Sequence, residues 1–305
     1  MGILRRVAFA ALMIACAGIA RAEQTAPREP AVWMLTDADS TIYLYGTIHI
    51  GISEDGWGGP IARAALAKSD EIWTEIEVKE QDEAELGAEV FEHGFDRTQR
   101  LSRVLTPARW NALVAALKGT GATGEMLDMM RPWLAAVMLD MSGVLGKGGV
   151  GMDGVEEFVD DAAELAGKKR RWFETGEQQL GFFANLPAAT QMQYLNNSID
   201  SYIAASAGGA SSVDDDAMMK AWETGDVDSL VRYVVEPMRA LSPGVHKALL
   251  VDRNATWVET IITEMRGSGV DFMAVGAAHL AGRDSVQSML AARGYKVTRL
   301  TAPPS

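Results

Sequence analysis

Thr41-Ile-Tyr-Leu-Tyr-Gly-Thr-Ile-His-Ile-Gly51 is an apolar, strand-like run that stops at Gly46 and is followed, three residues on, by His49. The arrangement returns near the other end of the chain as Val270-Asp-Phe-Met-Ala-Val-Gly-Ala-Ala-His279. Glycine alone reaches positive φ without steric cost, so a strand that ends on it can turn sharply and let a later side chain lean back over the strand's end. Sheet proteins place ligands and catalytic groups at such ends. One Gly-x-x-His marks little more than a loop histidine, but two of the four histidines of this chain follow the pattern. The expectation is a single site assembled from His49 and His279.

Outward from these runs, residues 33–35 and 42–45 alternate as a hairpin whose turn is 37–40, and residues 60–67 read as a short helix with proline in its first turn. Residues 70–78 read as the next strand, with Glu71, Trp73, Glu75 and Glu77 on one face. A solvated strand face is the plain reading of that alternation. From 81 to about 266 the pattern is mostly helical: 107–117 capped by Thr106, 132–145, a helix capped by Asp153 with Glu156 as in a capping box, then 187–206, 218–224, 227–238 and 243–266. A strand at 169–175 interrupts it, and 207–212 reads as a flexible loop. Strand 270–275, helix 284–293 and strand 295–300 suggest a βαβ-like return. The fold class expected is α+β, a central mixed sheet from N- and C-terminal strands (about 31–78, 169–175 and 270–300) carrying a large, mostly helical insertion, in one domain over 23–305.

Residues 1–22 read as a secretory leader: Arg5 and Arg6, an apolar run over 7–20, and Ala20-Arg21-Ala22 as the cleavage site. The expected location is periplasmic or secreted, with no integral membrane span in the mature chain, since the apolar run is short for one. A lipoprotein cysteine at Cys16 is the competing reading, which Met13-Ile14-Ala15 fits poorly. Cys16 is the only cysteine, so cleavage after Ala22 excludes disulfides, thiolate metal sites and a cysteine nucleophile. Losing Arg5, Arg6 and Arg21 takes the basic count from 28 to 25 against 41 acidic residues, a net charge near -16 that argues against nucleic-acid partners.

Taken together, Gly46-Thr-Ile-His49, Gly276-Ala-Ala-His279, Pro132-Trp133, Gly151-Met-Asp153, Phe173-Glu-Thr175 with Gln179-Leu180, Arg253-Asn254 and Arg293-Gly-Tyr-Lys-Val297 resemble the TraB/GumN/Tiki family. The likeness runs from about Trp33 to Leu300, with a more distant likeness to ChaN-type and erythromycin-esterase-type proteins. Each motif is short, and order and spacing carry the specificity. The resemblance implies a site glutamate at the end of the strand after His49. Glu75 aligns best, and Glu77 remains the alternative on the same face. It also favours Glu174 over Glu177 at the end of strand 169–175, and an arginine, Arg253, near the histidines. Ion pairs with Arg170 or Arg171 for the acids, and with Asp252 or Glu259 for Arg253, are the ordinary alternatives.

His49, Glu75 and His279 would supply three metal ligands and leave a position open for water, a donor set suited to manganese, cobalt, zinc or iron. No His-Glu-x-x-His helix is present. The function expected is an exported metal-dependent hydrolase acting on a peptide or small molecule, as a Tiki-like peptidase would. Metal-activated water would be its nucleophile, Glu77 or Glu174 would relay the proton, and Arg253 would steady the developing charge. The alternative is a non-catalytic ligand-, peptide- or haem/iron-binding protein, as in the ChaN proteins, using the same paired site. The helically spaced methionines (Met126, Met129, Met130, Met138, Met141, Met218, Met219) read as packing, and His93 and His246 as surface histidines.

Overall fold

The computed structural model describes residues 28–49, 57–77, 83–142, 154–207 and 215–304. The leader, Cys16, Gly51, Val78, Gly151-Met-Asp153 and most of the 207–212 loop lie outside them. Among the described residues, β1 (Val32–Thr36), β2 (Ser40–Thr47), β3 (Glu71–Thr74), β4 (Lys169–Trp172), β5 (Gly269–Gly276) and β6 (Val297–Arg299) form one mixed sheet in the order β4-β3-β5-β2-β1-β6. β1 and β2 pair antiparallel as the hairpin, and β1 also pairs antiparallel with β6. The run β4, β3, β5, β2 is parallel throughout. The fold is thus mixed α+β, a sheet from the two ends of the sequence with a largely helical section between them.

β2 and β5 lie at the centre, and burial on both faces explains why they read as nearly continuous apolar runs. Five helices position the sheet and its site: α1 (Pro60–Lys68), α2 (Pro132–Asp140), α3 (Val155–Leu165), α4 (Gly176–Ala184) and α5 (Asp252–Glu264). A sixth, α6 (Val286–Ala292), precedes β6. Tyr43, Tyr45, Phe272 and Ala274 pack with Ile61, Ala62 and Ala65 of α1 and Val155, Val159 and Ala163 of α3. The alternate residues Ile42, Leu44, Met273 and Val275 pack with Trp257, Val258 and Ile261 of α5 and Val286 and Leu290 of α6. A separate helical core surrounds α2, whose residues from Pro132 to Leu139 are all buried. That all-round burial accounts for a run with no polar face, and Met130, Met138 and Met141 fill space within the same core.

Several sequence expectations are corrected. The strand expected over 70–78 ends at Thr74, because Glu75 turns off the ladder: its carbonyl accepts from Glu174 N at 2.9 Å, and its carboxylate turns toward β5. The helix expected to be capped by Asp153 starts at Val155 with Gly154 at its N-cap, and glycine has no side chain with which to cap it. The βαβ-like return does form strands running the same way, but β6 sits at the far edge, with β2 and β1 between it and β5. The sheet's inner positions are already filled by the hairpin. His246 is not a surface residue. It is 5 % exposed, and burial, with Arg239 nearby, lowers its pKa.

Two short π-helical turns, Val231–Val235 and Lys247–Val251, keep the helical section continuous toward the site. Such turns frequently mark functional places. Here the Leu249 carbonyl, inside the second turn, accepts Arg253 Nη1 at 3.2 Å. Among the described residues no helix is long and apolar enough to cross a membrane.

Candidate functional site

The four neighbouring parallel strands each release one polar side chain at their carboxyl ends: Glu174 after β4, Glu75 after β3, His279 after β5 and His49 after β2. The register places Thr47 beside Gly276, so the two Gly-x-x-His turns leave the sheet side by side. This is the edge at which parallel sheets bind ligands. Two close approaches hold the turns together. Trp222 Nε1 donates to the Gly46 carbonyl at 2.8 Å, and a Cβ added at Gly46 would meet the Ala277 Cα at 3.2 Å.

Arg253, on the first turn of α5, ties the row together. Its Nη2 donates to Glu75 Oε2 at 2.6 Å and to Glu174 Oε2 at 2.8 Å, and its Nε donates to Glu174 Oε1 at 3.0 Å. Trp257 Nε1 donates to Glu174 Oε1 at 2.7 Å, and Gln179 Nε2 donates to both carboxylates at 3.2 Å. Gly276 N donates to Glu75 Oε1 at 2.7 Å. Arg253, Glu75 and Glu174 are each no more than 7 % exposed. Buried charges of this kind persist only when paired and hydrogen-bonded. Burial raises the Glu75 pKa, but Arg253 first, then His279, His49 and the Gly276 amide outweigh it and hold the carboxyl well below the usual range.

The hydrogen bonds of His279 fix its state. Nε2 lies 3.1 Å from Arg253 Nη1, which can only donate, so Nε2 accepts and Nδ1 carries the proton to Asn254 Oδ1 at 2.5 Å. Burial and the Arg253 charge press its pKa down to about 3. Asn254 is itself fixed by donating to the Asp284 carbonyl at 2.7 Å. Trp257 closes one side, its ring 4.3 Å from that of His279.

His49 is held in the opposite way. Its Nδ1 lies 2.7 Å from Glu156 Oε1, an oxygen that also accepts from the Thr47 hydroxyl. Burial alone favours the neutral ring. The Glu156 carboxylate, by charge and by hydrogen bond, and then Glu75 override it and raise the pKa to about 9. Both imidazoles therefore have Nδ1 anchored on an oxygen and Nε2 turned toward Glu75. His279 Nε2 is 3.7 Å from Glu75 Oε1, and a Cβ added at Gly276 would stand 3.0 Å from His49 Nε2 and 3.1 Å from Glu75 Oε1. Gly276 has φ of -49°, so its lack of a side chain serves space and not backbone strain. Beyond this polar floor lies a cavity of about 70 Å³ with an apolar wall that includes Met218, Val234, Met238, Leu249 and Phe182.

The two rings act on stability in opposite directions. His49 has a folded pKa above its free value of about 6.5, so its contribution is full below that pH and is lost as pH rises through about 9. His279 refuses a proton that the unfolded chain accepts, so stability falls as pH drops from about 6.5 toward 3, and Glu75 adds to that acid-side loss below its unfolded pKa. With chelator present, the urea midpoint of the wild type is expected to fall on the alkaline side of a maximum near pH 6.5. Glu156→Gln should remove much of the fall between pH 7 and 9 and leave the acid side intact. Parallel alkaline limbs in the two proteins would contradict the assigned pairing.

A model of the TraB/PrgY/gumN family matches residues 31–299. The chain belongs to the TraB/PrgY/gumN family. No curated protein matches it closely enough to narrow that assignment. In this family member the two Gly-x-x-His turns, Glu75, Glu174 and Arg253 converge on one place. Glu77 is half-buried and is not among the residues lining the cavity, and Glu177 lines an outer groove with Gln178 and Gly181. The ordinary ion pairs go elsewhere: Arg170 to Asp160 and Glu164, Arg171 to Glu71 and Glu264, Lys247 to Asp252, and Arg293 to Glu259.

The donors suit a divalent ion by chemistry and orientation. An imidazole whose Nδ1–H rests on a carboxylate or amide oxygen, with Nε2 free to ligate, is the usual form of a metal-binding histidine. His49 and His279 share the Nδ1 anchor of that form, and the Gly276 cradle leaves room between His49 Nε2 and Glu75 Oε1. As the side chains stand, no group of three His, Cys, Asp or Glu among the described residues encloses an ion, and Arg253 Nη1 occupies the lone pair of His279 Nε2. An ion must displace that contact and the proton that the raised pKa keeps on His49.

Glu156 carries no site signal in the sequence, and Asn254 and Gln179 stand out there only as parts of short motifs. The partner of Glu156 is more than a hundred residues away, and its local pattern reads equally well as a helix cap.

Proposed function

We propose that this TraB/PrgY/gumN family member is an exported metal-dependent hydrolase acting on peptide bonds, with His49, Glu75 and His279 as the residues that hold the ion. The observation that carries the reading is the matched anchoring of the two imidazoles, Nδ1 on oxygen and Nε2 inward, on either side of a carboxylate. When bound, a divalent ion of the manganese, iron, cobalt or zinc type supplies Lewis acidity and a nucleophilic water at neutral pH.

The protein's own residues do the rest. Glu156 holds the proton of His49 and orients the ring, and Asn254 does the same for His279. Glu174 is engaged by Arg253, Trp257 and Gln179, which makes it first a support for the guanidinium. A proton arriving at Glu174 would weaken that support. The fixed Arg253 charge offsets Glu75 and faces the cavity, where negative charge develops during acyl transfer. The apolar wall excludes water and strengthens these interactions.

Elemental analysis of the purified mature protein and a peptide-library digest test this together. Wild type is expected to carry a transition metal and cleave, with cleavage lost on chelation, while His49→Ala/His279→Ala loses both metal and cleavage. Tight ligand, peptide or haem binding through the same histidines without turnover would favour a carrier instead.

A further inference from the structure

Gln179 sits in the first turn of α4, immediately after the strand end that delivers Glu174. A capping box formed by Thr175 and Gln178 fixes where that helix begins, and so where Gln179 points. The side chain is 3 % exposed. Its two polar partners, Glu75 Oε2 and Glu174 Oε2, are carboxylate oxygens that also accept from Arg253 Nη2. The amide must therefore turn its NH2 group toward them, and its oxygen is directed away. That oxygen, Gln179 Oε1, has no hydrogen-bond partner. Native proteins rarely leave a buried acceptor so, and one on a residue that lines a cavity is available to a donor brought there. Gln179 lines the cavity between the polar floor and an apolar wall that includes Met218, Val234, Met238 and Leu249.

We propose that Gln179 is a substrate-binding residue: its Oε1 accepts the N–H of a peptide unit whose small apolar side chain lies against the methionine and leucine wall. The proposal rests on the reading of the cavity as a peptide site and specifies which part of a peptide it takes. A donor is required because the oxygen can only accept. The flanking group is apolar because Met218, Val234, Met238 and Leu249 form the wall it would meet. It is small because about 70 Å³ is roughly half of the 150 Å³ or so that accommodates benzene in an engineered cavity. A buried acceptor rejects a ligand that lacks the matching donor, so Gln179 would select amides over isosteric esters.

The test uses the mature chain as purified and three probes: N-acetylvaline methylamide and the two analogues in which one or the other N–H is replaced by oxygen. Binding is followed by NMR titration of labelled protein, and the same spectra register any cleavage, so failure of turnover and failure of recognition are read separately. Wild type is expected to bind one of the esters about tenfold or more weakly than the diamide, the discrimination of one unpaired buried acceptor. Gln179→Met should bind all three alike. Gln179→Asn, which retains an amide drawn back by one methylene, should show a reduced ratio and serves if the methionine variant does not fold. Equal binding of all three probes by wild type, undiminished discrimination in the variants, or no binding of any probe would each overturn the assignment. Amide-over-ester binding without cleavage would leave Gln179 in place while removing the hydrolase reading.

Discussion

Arg253→Met is expected to destabilise the protein by about 3–5 kcal/mol, the usual cost of removing one partner of a buried ion pair and leaving the other uncompensated. The reason is geometric. Arg253 donates to both Glu75 and Glu174, and both carboxylates are almost inaccessible to water, so neither has a solvent to fall back on. The loss should depend on pH. In wild type Arg253 is the largest influence holding the Glu75 carboxyl low against burial, so its removal is expected to raise the folded-state pKa. A raised carboxyl costs stability above that pKa and recovers it as protonation proceeds, so the deficit should be smaller at pH 5 than at pH 8. Urea unfolding of wild type and variant at the two pH values checks this. Adding Glu75→Gln and Glu174→Gln should restore much of the difference, because an uncharged cluster no longer needs the guanidinium. A pH-independent loss below about 1 kcal/mol would be that of a surface pair and would contradict the buried network.

Gly276→Ala is the second change with a large expected effect, and it acts on function more than on folding. The added Cβ would stand 3.0 Å from His49 Nε2 and 3.1 Å from Glu75 Oε1, tighter than ordinary van der Waals contact. With φ of -49° at this position, alanine meets no backbone penalty, so the stability cost should stay within the roughly 1–3 kcal/mol of overpacking. The methyl group, however, occupies the space shared by the two donors and must push one of them aside. Misplacement of a catalytic group by about 1 Å can cost on the order of 10²-fold in rate, and a comparable fall in kcat/KM is expected here together with weakened metal retention. Thermal melting beside activity on the cleaved peptide separates the two effects. An alanine variant with wild-type activity would show that the space between His49 and Glu75 is not used.

What the sequence made legible was the local geometry of each strand end. The runs before Gly46 and Gly276 are apolar, each stops at a glycine, and each places a histidine three residues on, so a shared site was legible, while the parallel register of β2 on β5 that builds it is seen only in the structure. The choice of Glu75 and Glu174 rests on the family resemblance, since alternation alone reads as a solvated face, and β3 leaves the ladder sooner than its alternation suggests. Partners distant in sequence were not legible. Glu156 looks like a helix-capping acid until α3 is seen docked on the His49 turn, where Val155 N donates to the Ile48 carbonyl at 3.0 Å. His246 lies in a helix whose apolar and polar positions do not show which face packs inward, and only tertiary contact buries it. The charge on each imidazole was beyond reach as well. Two identical motifs give one raised and one lowered pKa because one ring meets a carboxylate and the other a guanidinium.

In the proposed site two anchored imidazoles and Glu75 would hold one divalent ion at the ends of three adjacent parallel strands. Metal stoichiometry of the purified mature chain, set beside that of the His49→Ala/His279→Ala protein with folding verified for both, addresses it most directly. About one transition-metal ion is expected per wild-type chain, as a single three-ligand site requires, with nearly all of it lost from the double variant. Equal metal content in the two folded proteins, or none in wild type even after incubation with manganese, iron, cobalt or zinc, would contradict it.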